Sequence, residues 1–272
     1  MRHEPIGPSK VFSSFWRSRP LILQMVKREV VGRYRGSILG LLWSFVNPVF
    51  MLAVYTFVFS IVFKARWGLG GGDKFEFALV LFAGLIVFNL FSECVSRAPG
   101  LILGNVNYVK KVIFPLEILP WVALGSALFH AGISVAVLLV FLAAVGHAVS
   151  WTILLLPVVV LPMLVLLMGL SWLLASIGVF VRDVGQFVGM AMTVLMFMSP
   201  IFYPVSALPE SVRGYLFLNP MAFVIEQTRD VVIWGKLPDW SGLAIYSVIA
   251  MLVAWAGLAW FEKTRKGFAD VL

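Results

Sequence analysis

Residues 118–181 read ILPWVALGSALFHAGISVAVLLVFLAAVGHAVSWTILLLPVVVLPMLVLLMGLSWLLASIGVFV, 64 consecutive positions without a charged side chain. At a rise of about 1.5 Å per residue such a run is far too long for one helical crossing of a hydrocarbon core roughly 30 Å thick. It must break once. Gly146, His147 and Ser150 supply the turn chemistry, which predicts two spans, 116–145 and 151–181.

The same ruler applies to the rest of the chain, because a charge inside a bilayer is costly. Uncharged stretches cover 36–63, 77–92, 184–209 and 240–261. With the doubled central run this gives six spans, at about 37–63, 75–96, 116–145, 151–181, 184–204 and 240–261. The composition agrees: 61% of the 272 residues are hydrophobic and 12% charged, with a mean hydropathy of +0.98. A water-facing domain of this size could not carry that surface. The first apolar run starts well past the end of a cleavable signal peptide, so the first span is expected to be retained. The fold class read from the sequence is therefore an all-α integral membrane protein.

Six spans place both termini on one side, and the basic residues choose which. Fifteen of the 21 Lys and Arg residues fall in segments assigned to the cytosol, among them Arg2, Lys10, Arg97, Lys110, Lys111, Arg182 and Lys263. Lys64, Arg66, Lys74, Arg213, Arg229 and Lys236 fall outside. The net charge of +8 thus speaks for anchoring at lipid head groups, not for nucleic acid. One cysteine, Cys94, excludes an intrachain disulfide, and no Cys/His spacing resembles a metal site.

Three segments between the spans stand out. A helix over Pro20–Arg35 would stack Ile22, Leu23, Val26, Val30 and Tyr34 on one side and set Gln24, Arg28 and Arg35 opposite; that pattern lies on a membrane surface. Residues 99–114 join spans two and three with Pro99, Gly100, Gly104, Asn105, Asn107, Lys110 and Lys111, a short helix with a basic exit. It is either a positive-inside loop or a docking knob. Residues 205–239 are too apolar for an outer loop. There Pro209 precedes one short helix, Asn219-Pro220 starts a second and Gly235 stops it. The expectation is two re-entrant half-helices lining a pore mouth or gate.

No HExxH, GxSxG or paired-carboxylate cluster lies within a span, and no GxxxxGK[ST] phosphate loop is present. No catalytic residue is assigned, and any ATP chemistry must come from another chain. His130 and His147 stand alone. Glu93 and Arg97 are four apart and able to pair along one helix face. Gly36-x-x-x-Gly40 and Gly185-x-x-x-Gly189 are candidates for close helix contacts, and Pro48 for a kink in span one. Aromatic residues crowd span one, from Trp43 to Phe59.

The run Lys27-Arg28-Glu29 through Arg33-Tyr34-Arg35, Ser37-Ile38-Leu39-Gly40-Leu41-Leu42-Trp43 and Asn47-Pro48 resembles the opening of permease subunits from ABC-type polysaccharide exporters. Lys110 to Pro120, Phe180-Val181-Arg182-Asp183-Val184, Ser199 to Pro204 and Leu218-Asn219-Pro220-Met221 follow in that family's order. The Phe114-Pro115-Leu116-Glu117 form is closer to the O-antigen and teichoic-acid type than to the capsule type.

The resemblance implies a homodimer in the bacterial cytoplasmic membrane with two cytosolic ATP-binding subunits, exporting lipid-linked polysaccharide. ATP and Mg would be used by the partner, with no cofactor on this chain. It divides the chain into a cytosolic N-terminus with an interface helix (1–36), a transmembrane domain (37–264) and a cytosolic tail (265–272). It also assigns roles. Glu29 and Arg33 in the interface helix, with Gly100, Gly104, Asn105, Asn107, Lys110 and Lys111 in the coupling helix, would meet the ATPase. Trp43, Tyr55, Phe59, Phe197 and Tyr203 would line the glycan path, and Pro209, Asn219, Pro220 and Arg229 the outer gate. The rival readings are a drug or lipid exporter permease of the same class, a membrane glycosyltransferase or acyltransferase, and a passive channel.

Overall fold

A computed structural model of the protein describes residues 9–62, 75–110, 114–147 and 149–272. Arg2, Lys64, Arg66, Lys74 and Lys111 lie outside the described residues, as does the last residue expected in span one. Among the described residues the elements are helical and no strand occurs.

Helix α1, Ser9–Arg33, precedes a linker and a 3-10 turn, Gly40–Leu42, that leads into α2, Trp43–Tyr55. A π-helical segment, Thr56–Val62, extends α2. Then come α3, Glu76–Arg97; the one-turn α4, Val106–Val109; α5, Leu119–Ala144; α6, Leu156–Phe180; and α7, Val184–Met198. After these follow α8, Glu210–Arg213; α9, Pro220–Val232; α10, Trp240–Thr264; and the one-turn α11, Phe268–Val271.

Five helices among the described residues are long and apolar enough to cross a membrane, built on α2, α3, α5, α6 and α10. The sixth apolar helix, α7, has 15 residues, about 22 Å at 1.5 Å per residue, short of a full hydrocarbon core. The span expected over 184–204 is therefore helical only to Met198; Ser199 is extended and breaks it. The 64-residue run divides as its turn residues predict, with Gly146 at φ +81° and the Ser150 hydroxyl accepting from Thr152 N.

Helix α3 forms the centre of the bundle. Residues 77–88 are buried without interruption, as a helix that is apolar on every side requires. Helices α6 and α10 approach most closely at glycines. A Cβ on Gly257 would lie 2.1 Å from the Gly169 carbonyl oxygen, and one on Gly169 would lie 2.5 Å from the Val253 oxygen. The pairs expected to make close contacts do not: Gly36, Gly40 and Gly189 have nothing within 4 Å of a built Cβ, and Gly185 meets Pro99 only at 4.0 Å. Gly36 and Gly40 have φ of +89° and +50°, so they shape the linker between α1 and α2.

Helix α1 packs on α5, where a Cβ on Gly125 would strike Val26 at 2.6 Å. Its buried stripe is Ile22, Met25 and Val30, while Leu23 is 67% exposed. The register read from the sequence is thus corrected at Leu23, whose place Met25 takes, and the helix runs from Ser9 through Pro20 to Arg33. The C-terminal segment expected as a tail folds back: Phe268 is fully buried between Phe180 and Phe261.

Asp239 caps α10, accepting from the Ser241 hydroxyl at 2.6 Å and from Ser241 N and Gly242 N at 3.1 Å. These bonds, the Ser241 hydroxyl first, hold its carboxyl below the usual carboxylate range. A depressed carboxyl contributes stability above its unfolded pKa, near 3.9, and loses it as pH falls through the folded value. Melting curves of wild type and Asp239→Asn should therefore differ most above about pH 4 and converge below it.

Candidate functional site

The basic end of the bundle is held by a ladder of four charges. Arg33 pairs with Glu93, Arg97 pairs with Glu29, and Arg97 Nη1 lies 3.6 Å from Glu93 Oε1. The sequence showed the Glu93–Arg97 spacing on one helix face. It did not show that Glu29 and Arg33, expected to meet an ATPase, reach Arg97 and Glu93 and so clamp α1 to α3, with Arg33 still 38% exposed.

Beside the ladder lies the 98–109 segment. It is not the single helix expected, but two 3-10 turns, Ala98–Gly100 and Leu103–Asn105, followed by α4. Pro99 and the glycines at 100 and 104 keep it from winding continuously. Its base is fixed: Ala98, Pro99, Leu101 and Ile102 are buried, and Gly178 of α6 sits so close to Pro99 that a Cβ would lie 2.3 Å from the Pro99 carbonyl oxygen. The Asn105 amide donates to Leu101 O at 2.9 Å. Arg28 donates to the Tyr108 hydroxyl at 3.0 Å, and Tyr108 stacks on Phe114 at 4.2 Å. Arg265 reaches Glu117 Oε2 at 2.8 Å and Phe114 O at 3.3 Å. Gly100, Gly104, Asn107 and Lys110 remain exposed. The result is a knob with a rigid base and a bare tip.

At the other end, the aromatic candidates separate into groups. Phe59 stacks on Phe77 at 5.3 Å and tilts against Phe202 at 6.4 Å. Phe202 stacks on Phe197 at 6.0 Å, and the Tyr203 hydroxyl donates to Phe197 O at 3.3 Å. Phe59, Phe197 and Tyr203 are thus gathered around Phe202, a residue the sequence reading did not single out although it lies within the Ser199 to Pro204 motif. Trp43 is not part of this group. It sits at the start of α2, with its indole N–H donating to Ser37 Oγ at 2.9 Å. Tyr55 is half-buried against the core.

The residues expected at the outer gate sit in unequal surroundings. Pro209 is exposed. Asn219 caps α9, accepting from Met221 N at 2.9 Å, and donates to Met198 O at 3.2 Å and Ser199 Oγ at 3.0 Å. Pro220 opens α9. Arg229, assigned by its charge to an outer segment, is 1% exposed. Its guanidinium donates to Val80 O at 3.1 Å, to Ile201 O at 3.0 Å, to Pro200 O and to Glu226 Oε1 at 2.7 Å. Gly84 makes room for it, since a Cβ there would lie 2.9 Å from Arg229 Nη2. Arg229 therefore braces the turn after α7 against α3, where unwound carbonyls need donors.

Bare apolar surface lies on α2 with its π-helical extension, on α7, and also on α10, where Ile245, Val248, Leu252 and Trp255 are exposed. Phe45, Phe50, Phe57 and Ile61 on the first, and Phe187, Met190, Phe197 and Met198 on the second, are all exposed. The sequence matches a family model over most of its length, that of the ABC-2 type transporter, across residues 20–233. The chain belongs to that family. As an ABC-2 type protein it is 31% identical over 263 residues to the O-antigen export system permease protein RfbA of Myxococcus xanthus, covering 96% of this chain and 98% of that one. It is 24% identical to RfbA of Klebsiella pneumoniae, over 93% of this chain and 95% of the relative. It is also 24% identical to the polysialic acid transport protein KpsM of Escherichia coli, over 93% and 96%. The resemblance to permeases of polysaccharide exporters read from the sequence thus holds, and these relatives do not favour the drug-exporter or transferase readings.

Proposed function

We propose that this chain is the permease subunit of an ATP-driven exporter that moves lipid-linked polysaccharide, of O-antigen type, from the cytosol across the bacterial inner membrane. The observation that carries the reading is the near full-length likeness to O-antigen export permeases in a chain whose α2 and α7 present bare aromatic and apolar faces. Two copies would pair through these faces, with two ATP-binding subunits beneath the basic end and both termini in the cytosol, as the positive-inside rule supports.

In this reading, ATP-driven closure of the partner subunits pushes on the exposed tip at Gly100, Gly104, Asn107 and Lys110. The push enters α6 through the Pro99–Gly178 contact and enters α1 through Arg28 and Tyr108. The charge ladder passes it on to α3, and α2 and α7 separate along the dimer axis. The cluster of Phe59, Phe197, Phe202 and Tyr203 offers flat apolar rings and one hydroxyl, chemistry suited to sugar faces. Such contacts must stay weak, because a polymer held tightly at each unit would stall.

The tip gives the test. Gly104 has open space around it, so Gly104→Arg should leave the permease folded while placing a bulky cation at the docking surface. Wild type co-expressed with its neighbouring genes is expected to bring down a stoichiometric ATPase in mild detergent, and Gly104→Arg to lose about tenfold of it. Recovery of no ATPase with the wild type would end the exporter reading.

A further inference from the structure

A 3-10 turn, Arg265–Gly267, follows α10, and α11 begins at Phe268. Lys266 is exposed and Arg265 partly so, which by charge alone suits a loose cytosolic tail. Phe268 departs from that pattern. Its ring is fully buried, 5.9 Å from Phe180 of α6 and 5.5 Å from Phe261 of α10, and taking a phenyl ring out of water is strongly favourable. The turn is thereby pinned to the inner end of α6.

That end of α6 also carries the knob. Gly178 and Phe180 are two residues apart, about 200° around a helix, so they lie on nearly opposite faces. On one face Gly178 sits against the Pro99 carbonyl at the base of the knob. On the other, Phe180 meets Phe268, and the Ser176 hydroxyl lies 2.6 Å from that of Thr264. The inner end of α6 therefore lies between the knob and the C-terminal turn.

The turn reaches the far side of the knob as well. Arg265 Nη1 donates to Glu117 Oε2 at 2.8 Å, and Nη2 to Phe114 O at 3.3 Å. Phe114 carries the ring on which Tyr108 of α4 stacks, and the Glu117 carbonyl accepts from the Trp172 indole of α6 at 2.9 Å. The residues from Arg265 to Phe268 thus touch both supports of the knob, the base through α6 and the far side through residues 114–117.

An ion pair whose two side chains are both partly exposed adds little to stability. It does fix where Phe114 and Glu117 stand relative to α10. Helices α6 and α10 already meet backbone to backbone at Gly169 and Gly257, and a close-packed pair of this kind transmits displacement with little give. A knob joined to that pair on both sides moves it as one body. A knob joined only at its base pivots about Pro99.

We propose that the Arg265–Phe268 turn braces the coupling knob, with Arg265 as a positioning residue that makes a push on the tip move α6 and α10 together. This role rests on the exporter reading, in which the tip meets an ATPase. Without the brace, ATP turns over and the polymer does not follow.

The test expresses the full chain with its neighbouring genes in a strain lacking its own copy, as wild type, Arg265→Gln, Arg265→Glu, Glu117→Arg and the double reversal. Monodispersity, recovered ATPase, ATPase turnover and surface polysaccharide are measured for each. Arg265→Gln should stay monodisperse and keep the ATPase and its turnover within about twofold, while surface polymer falls about fivefold, the shift that losing a partly exposed ion pair gives a two-state equilibrium. The double reversal restores the pair with its charges exchanged and should bring surface polymer back to within about twofold of wild type, while each single reversal stays low. Glu117→Gln, which breaks the same pair from the other side, serves if Arg265→Gln does not fold. Wild-type surface polymer in Arg265→Gln, or a double reversal no better than the single ones, would overturn the brace. So would loss of the ATPase or of the fold in step with the polymer in both glutamine variants, since the contact would then be a structural one. A wild type that recovers no ATPase ends the exporter reading itself; a wild type that recovers it, beside variants that export normally, ends only the brace.

Discussion

Gly257→Leu is expected to abolish the folded protein. Its Cβ would stand 2.1 Å from the Gly169 carbonyl oxygen, a backbone atom that no rotamer change can move aside. Helices α6 and α10 would have to part along their most intimate contact, and overpacking a close-packed interface costs about 1–3 kcal/mol even where side chains can yield. Here the backbone itself must shift, so the loss should reach or exceed the upper end of that range. Gly132→Leu is the control, a glycine on α5 with nothing within 4 Å of a built Cβ. Fluorescence-detected size-exclusion profiles should show the second variant at wild-type levels and the first aggregated or degraded. Equal profiles would mean that α6 and α10 do not meet at these glycines.

Arg229→Met should be nearly as severe. The guanidinium satisfies three carbonyls and a carboxylate from a nearly solvent-free position, and removing one partner from such a buried set typically costs about 3–5 kcal/mol. Arg229→Lys should not restore it. One ammonium cannot span Val80 O, Pro200 O and Ile201 O in the forked geometry of arginine. Glu226→Gln should be mild, since Glu226 is 40% exposed and the three carbonyls keep their donor. Thermal midpoints in detergent check the order: wild type, then Glu226→Gln, then Arg229→Lys and Arg229→Met well below.

These two positions mark where sequence reading stops. The charge-free run from 118 to 181 announces two helices and Gly146 announces the turn, because membrane depth and backbone freedom are both local properties. Asn219-Pro220 likewise announces a helix start. Gly169 and Gly257 carry no such mark. Each is one glycine in an apolar helix, and only their meeting across 88 positions gives them weight. Arg229 misleads for the opposite reason: a basic residue between spans looks like a surface anchor until the unwound carbonyls after Met198 are seen to need its donors.

The candidate site divides in the same way. Glu93 and Arg97 are legible as a helical pair, but their extension to Glu29 and Arg33 depends on how α1 lies against α3. The knob at 98–109 is legible as a position and not as a shape, since two glycines and a proline break it into turns. Phe202 was missed because span five was expected to continue to residue 204. The helix ends at Met198, and the chain's turn there swings Phe202 between Phe59 and Phe197.

The central claim is that this permease carries lipid-linked polysaccharide outward. The most direct measurement is depletion of the chain in its native cell, followed by fractionation of surface polysaccharide and of polysaccharide still attached to its lipid carrier inside. The account predicts that the surface polymer disappears while the lipid-linked polymer accumulates internally, and that re-expression of the chain with its ATPase reverses both. A surface polymer that persists at wild-type levels, with no internal accumulation, would contradict it.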